Sequence, residues 1–562
     1  MDWLKHLLKD VPELALFLCL ALGFALGKVR FWKISLGGVA GTLIVAIFVG
    51  MLEVTLHDQV KNIAFAIFIF TLGFLAGPSF FAHLNKGSLR YGVFTAIEVV
   101  AILAVTTAAV LLLDLDVGTA AGLLAGGATE SAVLGTATEA IGKLDLPPAQ
   151  ITTLQANVGT AYSISYICGL ITIVLFTSQI APAIMRVDLR AEAAKLWQQL
   201  GGGGDDDAPR SLPNLVGRVH RVSATTAGAT VADLERLLGD GVTVERLRHA
   251  GKIVAPSPGT LLAAGDLVAL YGPREALAGA DARIGPEVGD AVGLDRDLDV
   301  ADVQLSKGPL TGRTLREVRQ EVSPADRRGV FLTRASRSDQ DLPLQPGTTL
   351  NSGDVVRLTG DAGAVETAAR KLGFRLDHSV KADIVYISIG VILGMLIGRI
   401  VLPLGDVPLS LGTGGGCLLT GLLFGWLHAR HPRHGQYDPA AAGVIKDLGL
   451  ATFICAVGLS SGPQAVKLIG HYGFALPAAG ILMTLIPASI SLLVAWKAMK
   501  LPAPLALGSI AGQQCSTPAI TAIQQAAGNS TPMLAYTIVY ALSNVVLPLL
   551  GPVAVALARA LT

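Results

Sequence analysis

The sequence predicts a polytopic α-helical membrane protein with a soluble α/β insert, and three observations support this fold class. Only 15% of the 562 residues are charged and 52% are hydrophobic, whereas an average soluble chain carries about 25% charge. Twelve apolar segments, each near the ~20 residues that cross a bilayer, occur in two groups of six. A polar stretch, residues 183–380, separates the groups. The composition excludes a cytosolic globular protein and a disordered chain.

The apolar segments are of similar length in the two halves. In the first half they span 11–29, 34–52, 62–80, 90–113, 117–142 and 153–180. In the second half they span 383–402, 407–428, 444–462, 472–497, 503–527 and 534–558. The first segment follows MDWLKHLLKD, which lacks the small-residue cleavage site of a secretory signal. We therefore expect it to remain as a membrane span.

The fifth segment of each half differs from the others because polar residues interrupt it. These are Thr129, Glu130, Ser131, Thr136, Thr138 and Glu139 in the first half, and Gln513, Gln514, Ser516, Thr517 and Pro518 in the second. Polar, non-helical backbone at membrane depth is tolerated only where protein or a water-filled cavity surrounds it. The two segments are therefore predicted to be re-entrant hairpins or broken helices.

Short matches occur in the same order in both halves and predict an internal repeat. SLGGVAGTL at 35–43 matches SLGTGGGCL at 410–418, and GFLAGP at 73–78 matches GLSSGP at 458–463. AGGATESAV at 125–133 matches AGQQCSTPA at 511–519, and AYSISY at 161–166 matches AYTIVY at 535–540. Repeated halves are typical of secondary transporters, whose substrate sites lie at the repeat interface near the bilayer midplane.

The charge distribution predicts that the repeat is inverted. Positive residues follow the first, third and sixth segments: Lys28, Arg30 and Lys33, then Lys86 and Arg90, then Arg186, Arg190 and Lys195. Because positive loops stay in the cytoplasm, the insert is expected inside and both termini outside. An odd number of crossings must then precede the insert. Each half would have five spans and one hairpin, with one hairpin entering from each face, as in an elevator-type transporter.

The insert contains a repeat of its own. PGTLLAAGDLVALYG at 258–272 matches PGTTLNSGDVVRLTG at 346–360. Each is expected to be a pair of strands around a Gly-Asp turn, preceded by a helix at TVADLERLL or TLREVRQEV. GGGGDDDAP at 201–209 predicts a linker.

These patterns divide the chain into five parts. They are a membrane repeat at 1–182, a linker at 183–210, α/β lobes at 211–290 and 291–380, and a second membrane repeat at 381–562. The lobes resemble the C-terminal lobe of potassium-conductance regulators, the TrkA-C type. The resemblance implies a dimerising regulatory module that could bind a ligand. No G-x-G-x-x-G follows a strand, so a nucleotide-binding half is not predicted.

Cofactor chemistry and catalysis are not expected. The five cysteines lie inside apolar segments without a C-x-x-C pair: Cys19, Cys168, Cys417, Cys455 and Cys515. This placement favours small buried side chains over a metal site or a disulfide framework, and Cys515 alone lies in a polar motif. The sequence shows no H-E-x-x-H motif and no nucleophile elbow. An enzyme, a cofactor, a metal and a nucleic-acid partner are therefore not predicted.

The motif order resembles the aspartate:alanine exchanger family, in which two transport repeats flank paired TrkA-C lobes. The resemblance covers almost all of the chain and rests on the paired fifth-segment motifs, the GFLAGP and GLSSGP pair and the domain order. The family's hairpins often carry a G-x-x-T-x-T-P-A-type run, which corresponds here to CSTPA at 515–519, whereas the first hairpin reads GATESA at 127–132. The resemblance implies a homodimer in the bacterial inner membrane that exchanges L-aspartate for L-alanine. Relatives also handle acids such as succinate, so a dicarboxylate exporter is the alternative.

The substrate site is expected at the tips of the two interrupted segments. A helix N-terminus with unpaired backbone N–H groups suits a carboxylate. The candidate substrate-binding residues are Gly126, Gly127, Thr129, Glu130, Ser131, Gln513, Gln514, Cys515, Ser516, Thr517, Tyr162, Tyr536 and Asn544. Glu130 is the sharpest candidate, because an acid at membrane depth is costly and by default functional. It is expected to bind the substrate ammonium or to titrate.

Several alternatives stay open at this stage. Glu130 could be a solvated loop acid, Glu98 could be a structural partner of another residue, and the glycines and tyrosines could be packing contacts. A channel gated by the lobes is the competing function, although the chain has no T-V-G-Y-G filter. A membrane-bound sensor is a further class, but no segment resembles a catalytic output domain.

Overall fold

The chain forms two compact units in a computed structural model. The first unit contains Met1–Gln199, Ser338–Pro343 and His378–Thr562, and the second contains Leu200–Arg337 and Leu344–Asp377. The structure describes residues 2–31, 34–35, 37–82, 89–200, 215–239, 242–289, 299–306, 311–323, 328–337, 340–376, 382–404, 407–431 and 434–562. The predicted linker motif at 201–209 lies outside the described residues.

The first unit begins with ten helices and a short hairpin. The helices are α1 (Asp2–Asp10), α2 (Pro12–Gly27), α3 (Gly38–Gly50), α4 (Asp58–Ala82), α5 (Leu89–Leu113), α6 (Val117–Gly127), α7 (Ser131–Gly142), α8 (Pro148–Leu175), α9 (Ala181–Met185) and α10 (Leu189–Gln199). The hairpin is β1 (Arg30–Phe31) with β2 (Ile34–Ser35). A π-helical turn, Phe176–Ile180, joins α8 to α9. Part of the predicted linker at 183–210 is thus the helix α10.

The second unit is an α/β structure with two principal sheets. Its elements are β3 (Leu215–Arg221), α11 (Val231–Leu238), β4 (Thr243–His249), β5 (Lys252–Val254), β6 (Leu267–Pro273), α12 (Arg274–Leu277), α13 (Ala280–Arg283), β7 (Asp299–Leu305), β8 (Arg313–Thr314), α14 (Leu315–Glu321), β9 (Val330–Arg337), β11 (Thr349–Leu350), β12 (Val355–Gly360), α15 (Ala362–Leu372) and β13 (Gly373–Leu376), while β10 (Gln340–Asp341) falls in the first unit. The strand orders are β3-β6-β4-β5 and β9-β12-β7-β13.

The rest of the first unit is also mainly helical. Its helices are α16 (Ile384–Gly398), α17 (Gly412–Arg430), α18 (Pro439–Tyr472), α19 (Ala475–Leu493), α20 (Ala503–Gln513), α21 (Thr517–Ala527), α22 (Met533–Val546) and α23 (Leu550–Leu561). β14 (Val401–Leu404) and β15 (Val407–Ser410) form a hairpin between α16 and α17. Among the described residues, six helices are long and apolar enough to cross a membrane. The prediction of a polytopic helical membrane protein is therefore confirmed.

Glycines of the matched GFLAGP and GLSSGP motifs lie where helices of the two halves approach closely. A Cβ atom on Gly77 of α4 would meet the carbonyl oxygen of Leu422 in α17. A Cβ atom on Gly462 of α18 would meet the backbone of Gly50 in α3. Small residues four positions apart allow such backbone contacts between membrane helices. The two motifs are thus helix-packing motifs.

The predicted strand pairs of the insert are wrong, although both predicted helices are present. β6 pairs with β3 and β4, and β12 pairs with β7 and β9. The residues before the Gly-Asp turns pair elsewhere: Leu261 bridges Thr230, and β11 pairs with β8. Gly265 and Gly353 have φ of +89°, and the Asp that follows each accepts a backbone N–H three residues earlier. Each turn therefore connects a segment outside the principal sheet to a strand within that sheet, and it does not join two paired strands.

Candidate functional site

The fifth apolar segment of the first half consists of two helices with a three-residue break. α6 ends at Gly127, and Thr129 then adopts a left-handed backbone with φ of +51°. The N–H of Glu130 donates to the carbonyl oxygen of Ala125 at 3.0 Å, and that of Thr129 donates to Gly126 at 3.0 Å. This pair of bonds is the Schellman arrangement of a helix C-terminus. α6 therefore ends in a regular cap.

Glu130 caps the helix that follows the break. Its carboxylate accepts the N–H of Ala132 at 3.0 Å, and the residue is 5% exposed. A carboxylate at this position opposes the positive end of the α7 dipole. The acid is thus a buried helix cap, and the alternative of a solvated loop acid does not hold in this conformation.

The fifth segment of the second half has the same break at the matching positions. Cys515 is left-handed with φ of +46°. The N–H of Ser516 donates to the carbonyl oxygen of Ala511 at 3.1 Å, and the Ser516 hydroxyl accepts the N–H of Ala519 at 3.3 Å. Non-glycine residues with positive φ are uncommon and concentrate at functional sites. Both breaks use such a residue, Thr129 in one and Cys515 in the other.

The two breaks contact each other directly. The Thr129 hydroxyl donates to the backbone carbonyl oxygen of Gln514. The Cys515 thiol also lies near the Glu130 carboxylate. Thr129, Glu130 and Gln514 are each at most 8% exposed. Residues from distant parts of the sequence therefore form one cluster at the tips of the interrupted segments.

A hydroxyl residue begins the helix after each break. Ser131 is partly buried and its hydroxyl lies 2.7 Å from the Tyr162 hydroxyl. Thr517 is exposed and lies beside Tyr536. Within the described part of the chain, the backbone N–H groups of Ser131 and Thr517 have no partner. Two helix N-termini with free N–H groups form a local environment that suits carboxylates.

Tyr162 and Tyr536 lie next to these hydroxyl residues. The rings of Tyr162 and Tyr166 are 5.2 Å apart, as are those of Tyr536 and Tyr540. Asn544 donates to the carbonyl oxygen of Tyr540 one turn earlier, at 2.8 Å. Among the described residues Asn544 has no hydrogen bond to either break. Tyr162 and Tyr536 thus adjoin the cluster, while Asn544 stabilises its own helix.

The two glycines before the first break are packed so closely that a side chain would not fit. A Cβ atom on Gly126 would meet the Ser165 side chain, and one on Gly127 would meet Met483 of α19. The Thr484 hydroxyl also donates to the Gly127 carbonyl oxygen at 2.8 Å. In this conformation the glycines allow α6 to pack against α8 and α19.

Sequence reasoning missed the partners of the two glutamines. Gln513 donates its amide N–H to the Phe94 carbonyl oxygen at 3.0 Å. Gln514 donates to the Glu98 carboxylate, with Nε2 and Oε1 3.2 Å apart. The sequence gives one signal that Glu98 holds a functional position, because Glu98 is an acid in an otherwise apolar segment. The structure places Glu98 at the second break.

Glu139, another acid of the first fifth segment, has a structural position. Its carboxylate accepts the backbone N–H groups of Thr413 and Gly414 at the start of α17, the latter at 3.1 Å. It also forms an ion pair with Lys143 at 3.1 Å. Glu139 therefore caps a helix of the other half, away from the residues of the breaks.

The helices that carry the breaks match a known protein family. Residues 15–182 and 386–556 match the family described as the predicted permease membrane region of aspartate–alanine exchangers. An uncharacterized transporter of Zymomonas mobilis subsp. mobilis is 36% identical over 565 residues, which cover 99% of each chain. An uncharacterized transporter of Bradyrhizobium diazoefficiens is 35% identical over 564 residues, with the same coverage. One of Shewanella oneidensis is 31% identical over 558 residues, 98% of this chain and 99% of the relative.

No solved structure matches the chain. The family match covers more than half of the residues and includes both breaks, and the relatives are transporters similar to it over nearly the whole length. The protein is therefore a membrane transporter that belongs to the aspartate–alanine exchanger family.

Proposed function

We propose that this transporter is a secondary active antiporter that exchanges small amino acids or related anions across the bacterial cytoplasmic membrane. The substrates are L-aspartate and L-alanine, carried by alternating access. The observation that carries the proposal is the pair of touching breaks, which brings two helix N-termini and one buried acid together. Such an arrangement provides both signs of charge for a zwitterion.

The asymmetry of the two breaks supports a different role for each of them in substrate binding. Ser516 and Thr517, at the N-terminus of α21, would bind the α-carboxylate with backbone N–H and hydroxyl groups. Glu130, at the position that matches Ser516, would accept hydrogen bonds from the ammonium. The Ser131 end of α7 would bind the second carboxylate of aspartate. Exchange of aspartate for neutral alanine would then carry net charge.

The packing between the halves supports an inverted repeat of five spans and one interrupted segment, moving as an elevator. α4 packs along α17 and α3 packs along α18. The second and third apolar segments of each half therefore pack against those of the other half. Alternating access in repeat transporters is a movement of one bundle against another around the site. Under the proposal both termini are outside, the lobes at 211–290 and 291–380 are cytoplasmic TrkA-C modules, and the chain is a homodimer.

Reconstitution of the full chain into liposomes tests the exchange. Vesicles loaded with unlabelled alanine should take up labelled aspartate, and empty vesicles should not, because an antiporter returns only when loaded. A valinomycin-imposed membrane potential should change the initial rate, since the exchange moves charge. Equal uptake into empty and loaded vesicles would contradict antiport and would favour a channel.

A second candidate function is exchange of dicarboxylates such as succinate. It is favoured by one specific feature, the unpaired backbone N–H groups of Ser131 and Thr517, since an N–H group at a helix N-terminus suits a carboxylate. Glu130→Gln separates the candidates because it removes the charge and keeps the size. An amino-acid exchanger should lose affinity for aspartate and retain affinity for succinate. Glu53→Gln, at an exposed position outside the site, is the matched control.

A dicarboxylate exchanger should respond in the opposite way. Removal of the Glu130 charge would strengthen succinate binding, and wild-type protein would prefer succinate to aspartate. Equal affinities for both ligands in wild type and Glu130→Gln would show that Glu130 contacts neither.

A further inference from the structure

A cavity lies beside the helix α10 in the first unit. Its volume is about 340 Å³, within the range of about 300–1,000 Å³ that is typical of ligand pockets. α10 contributes Glu192, Lys195 and Leu196, and the segment between α19 and α20 contributes Trp496, Lys500 and Leu501. Leu196 and Leu501 are buried, whereas Lys195 and Lys500 are exposed. The cavity thus combines buried apolar side chains with accessible cations.

The cavity carries an excess of positive charge. Two cations, Lys195 and Lys500, line it together with one acid, Glu192. A third cation lies next to it, because the Lys497 ammonium is 3.6 Å from the centre of the Trp496 ring. Within the ranges that the structure describes, neither Lys195 nor Lys500 forms an ion pair. The cavity therefore suits an anion, and lysine ammonium groups are common ligands of phosphate.

The cavity lies where two apolar spans end. The span Ala475–Ala498 ends just before Lys500, and the span Pro148–Met185 ends just before α10 begins. Tryptophan is enriched at the membrane–water interface, and lysine side chains extend from helix ends to reach it. Exposed apolar side chains form a stripe along α19 that leads to this end of the span: Leu482, Ile486, Ile490 and Leu493. Their spacing of three or four residues places them on one face of the helix.

A phospholipid matches both features of this region. Its acyl chain would lie on the apolar stripe of α19 and bring the headgroup to the level of the two lysines. Basic pockets between membrane helices on the cytoplasmic side bind anionic headgroups, and the positive loops of this chain predict that side for the cavity. A soluble phosphate would find the same ammonium groups but would gain nothing from the stripe.

We propose that the cavity binds the phosphate headgroup of an anionic phospholipid between Lys195 and Lys500. α10 also packs against α20 and α21, and Pro502 is the N-cap residue of α20. A bound headgroup therefore ties α10 to the start of the second interrupted segment. The inference does not depend on the transported substrate, so it stands or falls separately from the proposed function.

Photolabelling of the full chain in liposomes tests the site. The liposomes consist of phosphatidylcholine with a trace of phosphatidylglycerol that carries a photoreactive group near its headgroup. After illumination, mass spectrometry of the digested chain measures the label on the peptides that contain residues 189–200 and 494–502. At trace concentration the occupied fraction, and with it the label, is proportional to the affinity of the site.

The charges of the cavity predict effects of opposite sign. Lys195→Gln and Lys500→Gln should each lower the label about fivefold, the contribution of one lysine near an anionic lipid surface. The double variant should lower it about 25-fold. Glu192→Gln removes the acid of the cavity and should raise the label. Lys28→Gln, at an exposed position at the end of α2, is the matched control and should leave it unchanged.

Three outcomes would overturn the proposal. They are wild-type label on these two peptides in the double variant, equal label in Lys28→Gln and Lys500→Gln, and equal label from photoreactive phosphatidylcholine. Inorganic phosphate added to the buffer should not compete with the lipid. Competition that removes the label would assign the cavity to a soluble anion and contradict the lipid site. Both lysines are exposed, so the variants should fold, and unchanged label on the other peptides confirms that they do.

Discussion

Replacement of Thr129 by valine tests the contact between the two breaks. The Thr129 hydroxyl donates to the Gln514 carbonyl oxygen, and Thr129 has φ of +51°. Valine has nearly the same shape and the same branching at Cβ, so the backbone strain is unchanged. The substitution removes one hydroxyl group and leaves a buried acceptor without its donor.

The size of the effect follows from the energetics of buried hydrogen bonds. Loss of one partner of a buried pair costs about 1–3 kcal/mol, and about 1 kcal/mol corresponds to about a fivefold change in an equilibrium constant. Under the proposed function this hydrogen bond positions the two helix N-termini that bind the substrate carboxylates. We therefore expect the half-saturating aspartate concentration to rise by more than about threefold, since the lower end of that range already corresponds to about fivefold.

The assay is the concentration dependence of aspartate–alanine exchange in liposomes with equal amounts of folded protein. Thr129→Ser keeps the hydroxyl and should stay close to wild type. The reasoning is refuted if Thr129→Val has the wild-type half-saturating concentration, or if Thr129→Ser and Thr129→Val change it equally.

Three other predictions concern packing, the insert and topology. Gly462→Ala should lower the thermal stability of the detergent-purified protein, because its Cβ atom would meet the backbone of α3. Asp354→Asn should destabilise the sheet of β7, β9, β12 and β13 by about 3–5 kcal/mol, because it leaves the buried Arg337 without its counter-charge. Asp354 now holds Arg337 by two 2.7 Å bonds, and hydrogen exchange of β9 and β12 reports the loss. In whole cells, a cysteine at Thr562 should react with an impermeant thiol reagent, and a cysteine at Gly202 should be shielded.

Each of these predictions has a control or a contrary outcome. Gly443→Ala lies on the same helix α18 with open space around its Cβ, and it should not lower stability because alanine favours helices. Asp302→Asn breaks a more exposed pair with Arg357 and should cost less than Asp354→Asn. Equal losses of stability in the two glycine variants would contradict the packing argument. Equal losses in the two aspartate variants would contradict the role given to the buried ion pair. Labelling of both introduced cysteines, or of neither, would contradict the inverted topology.

The location of the breaks could be predicted from the sequence, while their geometry could not. Polar residues at 129–131 and 513–517 interrupt apolar segments, and such backbone needs protein or water around it. The left-handed positions, however, are occupied by Thr129 and Cys515 and not by glycine. Tertiary contacts between the breaks hold these residues in a conformation that their local preferences disfavour.

The role of Glu98 could not be predicted, because its partner is 416 residues away in the sequence. The comparison of the two halves also gave no help, since Glu98 has no acidic counterpart in the second half. Pairing of unmatched residues across a repeat interface depends on the packed structure.

In the insert, alternating residues correctly predicted strands β6 and β12, but their partners were wrong. Alternation fixes which face of a strand is buried and does not choose its neighbour. The capping boxes of α11 and α14, with Thr230 and Asp233 or Thr314 and Glu317, are by contrast local, which explains why both helices were predictable.

The claim that substrate binds at the two breaks is tested most directly by alkylation of the native Cys515. Cys515 is partly exposed in the second break, and Cys168 on α8 is partly exposed outside the cluster. With aspartate at ten times its half-saturating concentration, about one tenth of the sites remain free. Mass spectrometry of the alkylated full chain in liposomes should then show an about tenfold slower reaction at Cys515 and an unchanged rate at Cys168. An unchanged rate at Cys515 would place the substrate elsewhere.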